Sequence, residues 1–384
     1  MSRKTILVVF GTRPEAIKMA PLIRELSAFP EQFKLVVCVT AQHREMLDWV
    51  LESFEISADF DLDVMATNQT LESLTARVME GVRDVIAKVQ PAVTVVHGDT
   101  TTTFAASLAS FYAGVPVAHV EAGLRTGNLR SPFPEEFNRR SVGILSHLHF
   151  APTETAKENL LREGANAANI FVTGNTVIDA LRTRLESIEN SEILKSQIHV
   201  ELQNLLGFDI VETEFILVTG HRRENHGEGL KNLCGALLEL ANKYPQKHIV
   251  WPLHLNPKVK APVERELSNQ RNICLIPPLD YDPFLILMKN CLLLLTDSGG
   301  IQEEAPSLNK PVLVTRHCTE RAEAVDSGTV TIVGSEQSRI FNAVDKVVKR
   351  IEEEGYGPPI DNPYGNGFAA GRIRRHLSEW LDEI

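Results

Sequence analysis

No window of the 384-residue chain approaches the roughly 18–20 consecutive apolar residues of a membrane span. The N-terminal run TILVVFG is too short for the core of a signal peptide, and it meets GTRPE with no small-residue cleavage site. Cysteine is sparse and scattered. Cys38, Cys234, Cys274, Cys291 and Cys318 form no CxxC pair, so neither a disulfide framework nor a zinc site follows. Most of them sit in apolar runs (VVCV, NICLI, NCLLLL), where a buried thiol behaves as a small hydrophobe. Basic charge is in deficit, 39 Lys and Arg against 50 Asp and Glu, for a net charge of −11. That argues against nucleic acid or an anionic membrane as the main partner. A small anionic ligand remains open, because local charge makes such a pocket.

Several signatures of chemistry are missing as well. No GxGxxG follows the first apolar run, which argues against a dinucleotide cofactor, and GTRPEA is not a Walker A loop. No GxSxG elbow supports a serine hydrolase. His221, His226, His248 and His254 lack HxxxH or HExxH spacing, so no metal is expected. Internal repeats and low-complexity segments are absent. The expectation is a reduced, soluble, cytoplasmic protein.

What the chain does have is alternation. A length of 384 residues exceeds what one hydrophobic core usually serves, so two domains are expected. Short apolar, β-rich runs (TILVVFG, KLVVCVT, VTVVHGD, PVAHVEAG, HLHFAPT, NIFVTGN) alternate with amphipathic stretches such as PEAIKMAPLIRELSAF. After a charged, Leu-spaced stretch the series restarts with FILVTGH, HIVWPLH, NICLIPP, CLLLLTDS, PVLVTRH and TVTIVG. Near-continuous apolar strands between helices predict parallel sheets covered on both faces. The chain therefore reads as α/β, with two doubly wound domains over residues 1–175 and 176–367. A Gly/Pro/Asn-rich loop (355–367) precedes a final helix, 368–384, that can dock back on the first domain.

In open α/β sheets ligands bind beyond the carboxyl ends of the strands, so the residues after each run matter most. The first run ends in Gly11-Thr12-Arg13-Pro14-Glu15, with Lys18 one turn on. Pro14 at the helix start leaves a helix N-terminus that favours an anion, beside two cations; the alternative is a turn with solvated charges. His97-Gly98-Asp99 precedes four threonines, so Asp99 is either a site acid or an N-cap. Glu121 in HVEAG would be costly to bury unpaired. Glu135 and Glu136 open a later helix, as caps or as a third acid. In the second half, His221-Arg222-Arg223 suits a diphosphate, or a basic loop pairing with Glu224 and Glu228. Ser298-Gly299-Gly300 between strand and helix lets backbone N–H groups approach phosphate oxygens. Glu304, about a turn further, can accept both hydroxyls of a ribose.

Taken together, GTRPEAIKMAPL, TAQHREMLD, VHGDTTTT, HVEAGLRTG, SPFPEEFNRR, FVTGNTVIDA, TGHRREN, HLNP, DSGGIQEEAPSL and TER resemble the bacterial non-hydrolysing UDP-N-acetylglucosamine 2-epimerases, in family order over nearly the whole chain. The resemblance implies two Rossmann-like domains in the glycosyltransferase-B architecture with the active site in the interdomain cleft. It implies reversible epimerisation of UDP-GlcNAc to UDP-ManNAc without a cofactor, supplying ManNAc-type precursors for surface polysaccharide. UDP is first eliminated to give 2-acetamidoglucal and then added back. Matched by motif, Asp99, Glu121, Glu135 and His221 fall on catalytic positions. Arg13, Lys18, Phe284, Ser298, Gly299, Gly300, Glu304 and Arg321 fall on UDP- and substrate-binding positions. The resemblance also implies a homodimer, and a second, activating UDP-GlcNAc site at Gln42, His43 and His254. UDP-GlcNAc, UDP-ManNAc and UDP are the expected partners.

Departures from the family pattern sit on the nucleotide side: Ala322 where TERPEA has proline, Arg316-His317 for RD, and His226 in HRRENHG. Alternatives are an epimerase of a diacetamido or uronate UDP-sugar, a glycosyltransferase of the same architecture, and a UDP-sugar sensor. The acid set argues against the last two, since neither needs it.

Overall fold

The computed structural model describes residues 3–40, 44–66, 69–220, 227–253, 256–317, 319 and 321–383, with 44–46 described by backbone alone. The chain divides into one unit made of Met1–Ala180 and Tyr364–Ile384 and another made of Leu181–Pro363. In chain order the first carries β1 (Lys4–Phe10), α1 (Arg13–Ser27), β2 (Phe33–Val39), α2 (Arg44–Ser53), β3 (Phe60–Asp61), α3 (Leu71–Val89) and β4 (Val93–His97). It continues with α4 (Thr101–Tyr112), β5 (Val117–Val120), α5 (Glu135–Leu145), β6 (Leu148–Ala151), α6 (Glu154–Arg162), β7 (Ile170–Val172) and the start of α7 (Thr176–Glu189), which belongs to the second unit from Leu181 on. Next come α8 (Glu192–Leu206), β8 (Phe215–Thr219), α9 (Glu228–Lys243), β9 (His248–Pro252), α10 (Pro257–Leu267), β10 (Ile273–Ile276) and α11 (Tyr281–Asn290). The series closes with β11 (Leu293–Thr296), α12 (Gly299–Glu304), β12 (Val312–Val314), α13 (Ala322–Asp326), β13 (Val330–Ile332), α14 (Gln337–Glu354) and α15 (Ala369–Glu383).

The strand orders are β3-β2-β1-β4-β5-β6-β7 and β10-β9-β8-β11-β12-β13, and their pairings run parallel. Each order reverses once, between β1 and β4 and between β8 and β11. Those reversals are where doubly wound sheets open a crevice at the strand ends. All twelve apolar runs are strands. The thirteenth, β3, has two residues and no apolar run to announce it. The strands are apolar on both faces because helices cover both: Ile6 through Phe10 are fully buried, and Val78, Val82, Ala105 and Ala106 pack over that sheet. Trp251 anchors the corresponding core in the second unit. Burial pushes the thiols of Cys38, Cys234 and Cys291 up to about 12, so they pack as hydrophobes; Cys318 lies outside the described residues. No helix among the described residues is long and apolar enough to cross a membrane.

The last helix belongs to the first unit. Asp179 on α7 accepts from the N–H groups of Ala369 (3.1 Å) and Ala370 (2.8 Å), capping the start of α15, and Arg374 donates to Glu25 on α1 at 2.8 Å.

Candidate active site

In the first unit the loops after β1, β4 and β5 meet at the strand ends, and Glu15 ties the first two together. One of its oxygens accepts from Gly11 N (3.1 Å) and Thr12 N (2.8 Å), the other from the hydroxyls of Thr100 (2.7 Å) and Thr103 (3.0 Å). Thr12 returns the bond in a capping box. Glu15 thereby satisfies the N–H groups of Gly11 and Thr12 just ahead of the helix that Arg13 opens. Burial raises the Glu15 pKa against the pull of those four donors. Gly11 is required by the close approach of its neighbours. A Cβ there would sit 2.0 Å from Thr40 Oγ1 and 2.6 Å from Thr102 Oγ1, two hydroxyls bonded to each other at 2.9 Å. Gly11→Ala is expected to cost about 1–3 kcal/mol through overpacking, read as a lower urea midpoint with unchanged slope. An unshifted midpoint would mean the threonine pair yields freely.

Asp99 is not a cap. Thr100 caps α4, accepting from Thr103 N at 3.1 Å, and the Asp99 carboxylate pairs instead with Arg139 on α5. Asn138 donates to the Asp99 carbonyl at 2.9 Å, so one helix holds both ends of this residue. Arg139 also reaches Glu136 (3.3 Å), and Glu136 accepts from Thr126 N (3.1 Å) and Gly127 N (3.2 Å). Glu136, fully buried, is thus the acid that clamps the preceding loop. Glu135 is half-buried at the first position of α5, and no hydrogen bond or ion pair holds it among the described residues. Glu121 follows β5 with φ of +63°, a left-handed conformation rare for a side chain of this size. Its Oε2 accepts from Lys18 and from Asn175 (2.8 Å), and the paired Lys18 and Glu121 side chains are 10% and 7% exposed. The cost of burying Glu121 is met by this pairing. Arg13, which opens α1, lies 5.7 Å over the Trp49 ring.

Beneath these acids lie three buried histidines. His119 Nε2–H donates to the Gly98 carbonyl at 2.7 Å, fixing the turn (φ +68°) that carries Asp99. His149 neighbours it in register on β6. The His97 Nε2 lies 3.8 Å from Glu121 Oε2, and neither of its ring nitrogens has a hydrogen-bond partner among the described residues. Desolvation lowers these pKa values to about 4 for His97, about 3 for His119 and about 4 for His149, so all three are neutral near pH 7.

In the second unit the site is the turn after β11. Ser298 N donates to Thr296 Oγ1 at 2.9 Å, and Gly299 and Gly300 open α12. The Arg321 guanidinium lies against Gly299, where a Cβ would come within 2.8 Å of it. Fully buried Glu303 holds that guanidinium, accepting from Nε at 3.0 Å and Nη2 at 2.9 Å. Thr319 links the Arg321 backbone (3.2 Å) to Gln302 (2.7 Å), and Gln302 donates back to the Ser298 carbonyl at 3.1 Å. Glu304 Oε1 accepts from the Tyr281 hydroxyl at 2.6 Å, and burial together with this carboxylate holds the phenol well above its ordinary pKa. Phe284 stands half-buried one turn along α11. Ala322 is the first residue of α13, a position proline also suits.

Of the expected residues, His221, Gln42, His43 and His254 lie outside the described residues. No metal-holding cluster of His, Cys, Asp or Glu occurs among the described residues. Sequence reasoning missed Arg139, Asn138, Asn175, Glu303 and Tyr281, each a tertiary partner of an expected residue.

The comparisons agree with one another. A family model described as UDP-N-acetylglucosamine 2-epimerase matches residues 24–378. A UDP-N-acetylglucosamine 2-epimerase of Yersinia pestis is 53% identical over 97% of this chain and 98% of its own. The crystal structure of UDP-GlcNAc 2-epimerase from Neisseria meningitidis bound to UDP-GlcNAc superposes with a TM-score of 0.91 at 51% identity, covering 98% of this chain and 100% of that one. The Methanocaldococcus jannaschii UDP-GlcNAc 2-epimerase in complex with UDP-GlcNAc and UDP gives a TM-score of 0.84 at 34% identity, covering 98% and 99%.

Proposed function

The chain belongs to the UDP-N-acetylglucosamine 2-epimerase family, and we infer that its two residue clusters divide that family's reaction between them. The reaction interconverts UDP-GlcNAc and UDP-ManNAc at carbon 2 of the sugar. The carbon 2 proton is not acidic, so direct removal is hard. In the reading proposed here, a carboxylate takes that proton as the carbon 1–oxygen bond breaks and UDP leaves with the electron pair. A double bond forms between carbons 1 and 2, giving 2-acetamidoglucal. UDP then re-adds at carbon 1 while a proton reaches the other face of carbon 2.

Asp99, Glu121 and Glu135 are assigned the proton transfers. Arg13, Lys18 and His221 are assigned to stabilising the leaving diphosphate. In the second unit, the Ser298-Gly299-Gly300 turn and Arg321 take the phosphates, Glu304 the ribose, and Phe284 the wall beside uracil. The observation that carries this reading is the pair of acids at the ends of adjacent strands β4 and β5, each held by its own cation, Arg139 and Lys18. A protein that only bound a UDP-sugar would need the second unit's turn and not these acids.

The test is UDP-GlcNAc incubated with the protein in deuterated water and followed by proton NMR. Deuterium at carbon 2 and appearance of the manno epimer, with no acceptor added, are expected. Competent binding with unlabelled substrate after long incubation would reject the assignment, and turnover only with a sugar acceptor would point to a transferase.

A further inference from the structure

We propose that Asn175 is a positioning residue for Glu121, and that the chain segment returning at Tyr364 holds it in place, so that the C-terminal end of the first unit sets the orientation and charge state of this carboxylate. The inference rests on the reading that Glu121 handles substrate protons. A glutamate at φ +63° is strained, and its side chain stays where its partners put it. From α1 comes Lys18, from the end of β4 the neutral His97, and from the segment before α7 the Asn175 amide at 2.8 Å. Asp99 and Lys18 act electrostatically on the same His97 imidazole.

Asn175 has no freedom to turn. It is 2% exposed, its Oδ1 accepts from Val177 N at 3.0 Å, and its nitrogen therefore faces Glu121. Its main-chain N–H donates to the Tyr364 carbonyl at 2.7 Å. The preceding Gly174 has φ +86°, and a Cβ there would lie 3.1 Å from that carbonyl and 3.5 Å from Gly365 Cα. Tyr364 is fully buried, and Arg372 donates to the Thr173 carbonyl at 2.9 Å. The last segment of the chain thus backs the amide that shares Glu121 Oε2 with Lys18.

Asn175→Asp keeps the shape and the Val177 cap but replaces the donor with a like charge. Turnover is expected to fall about 10–100-fold, and the acid limb of the kcat/KM profile to move up by about one pH unit, with UDP affinity near that of the parent and a lower thermal midpoint from the added buried charge. Asn175→Ser, which can cap but not reach, moves the limb the same way by less, and answers the question if the aspartate variant does not fold. Asp179→Ala, which frees the start of α15 without touching Glu121, is expected to lower turnover and shift the limb in the same direction. An unchanged pH profile in the Asn175 variants, or a rate loss that only follows loss of folded protein, overturns the proposal. If Glu121→Gln itself leaves turnover normal, the underlying reading has failed instead.

Discussion

Replacing Asp99 by Asn or Glu121 by Gln is expected to reduce epimerisation by about 10²–10⁴-fold, the range for lost acid–base catalysis, while UDP binding survives. Each substitution preserves size and removes the ability to exchange a proton at that oxygen. The fold should tolerate them. Arg139 keeps Glu136 at 3.3 Å when Asp99 is neutralised, and a glutamine at 121 still offers an acceptor to Lys18 and Asn175. UDP affinity should hold because the Gly299–Gly300 turn, Arg321 with its Glu303 partner, and Glu304 with Tyr281 all belong to the second unit, and because Arg13 and Lys18 keep their charges in both variants. Glu135→Gln makes the cleanest third variant, since no hydrogen bond or ion pair is lost with it among the described residues. Turnover by NMR, UDP affinity by calorimetry and a thermal midpoint separate chemistry from folding. Turnover near the parent level in both the Asp99 and Glu121 variants would show that other groups move the protons.

The backbone was largely legible because its signal is local. A strand covered on both faces must be apolar throughout, so runs such as ILVVF and LLLL announce β1 and β11 without reference to anything distant. The strand-end positions of Asp99 and Glu121 were legible for a related reason: a carboxylate closing an apolar strand is expensive unless paired or used. What holds those acids was not legible. Arg139 reads as one charge of FNRR on a helix start, yet it crosses to Asp99, 40 residues earlier in the chain. Asn175 lies in TGN, which reads as a turn, and its partner Glu121 is 54 residues away. The positive φ of Glu121 carried no signature, since the sequence rule would place glycine there. Pro14 marks where α1 begins, whereas only the folded geometry shows Glu15 turning back to accept from the Gly11 and Thr12 N–H groups. Local periodicity sets the elements; the partners of a strand-end acid depend on which loops the strand order brings together.

Acid is expected to unfold the chain well before its carboxylates dominate the titration, because the first unit buries His97, His119 and His149 in neutral form. Their folded pKa values, about 4, about 3 and about 4, lie below the ordinary 6.5. Above pH 6.5 both folded and unfolded chains carry these rings neutral, and the stability is fully present. As pH falls below 6.5 the unfolded chain takes up protons that the folded chain refuses, so stability is lost progressively toward pH 4. Each pH unit of separation is worth about 1.4 kcal/mol per group, so three groups can remove on the order of 10 kcal/mol, comparable with the whole stability of a domain. Glu15 and Asp179 oppose the trend, since burial raises their pKa values and the folded chain protonates them first. The charges facing the rings reinforce it on the His149 side, where Arg125 disfavours a second cation; Glu121 and Asp99 soften it at His97. Urea midpoints measured from pH 8 to pH 4 should therefore drop steeply below about 6.5. His119→Gln, whose amide can still donate to the Gly98 carbonyl, removes one of the three proton sinks. It should be less stable than the parent at pH 8 yet lose less on going to pH 5. Midpoints flat between pH 7 and pH 5, or a His119→Gln profile parallel to that of the parent, would mean that the buried imidazoles do not govern the acid response.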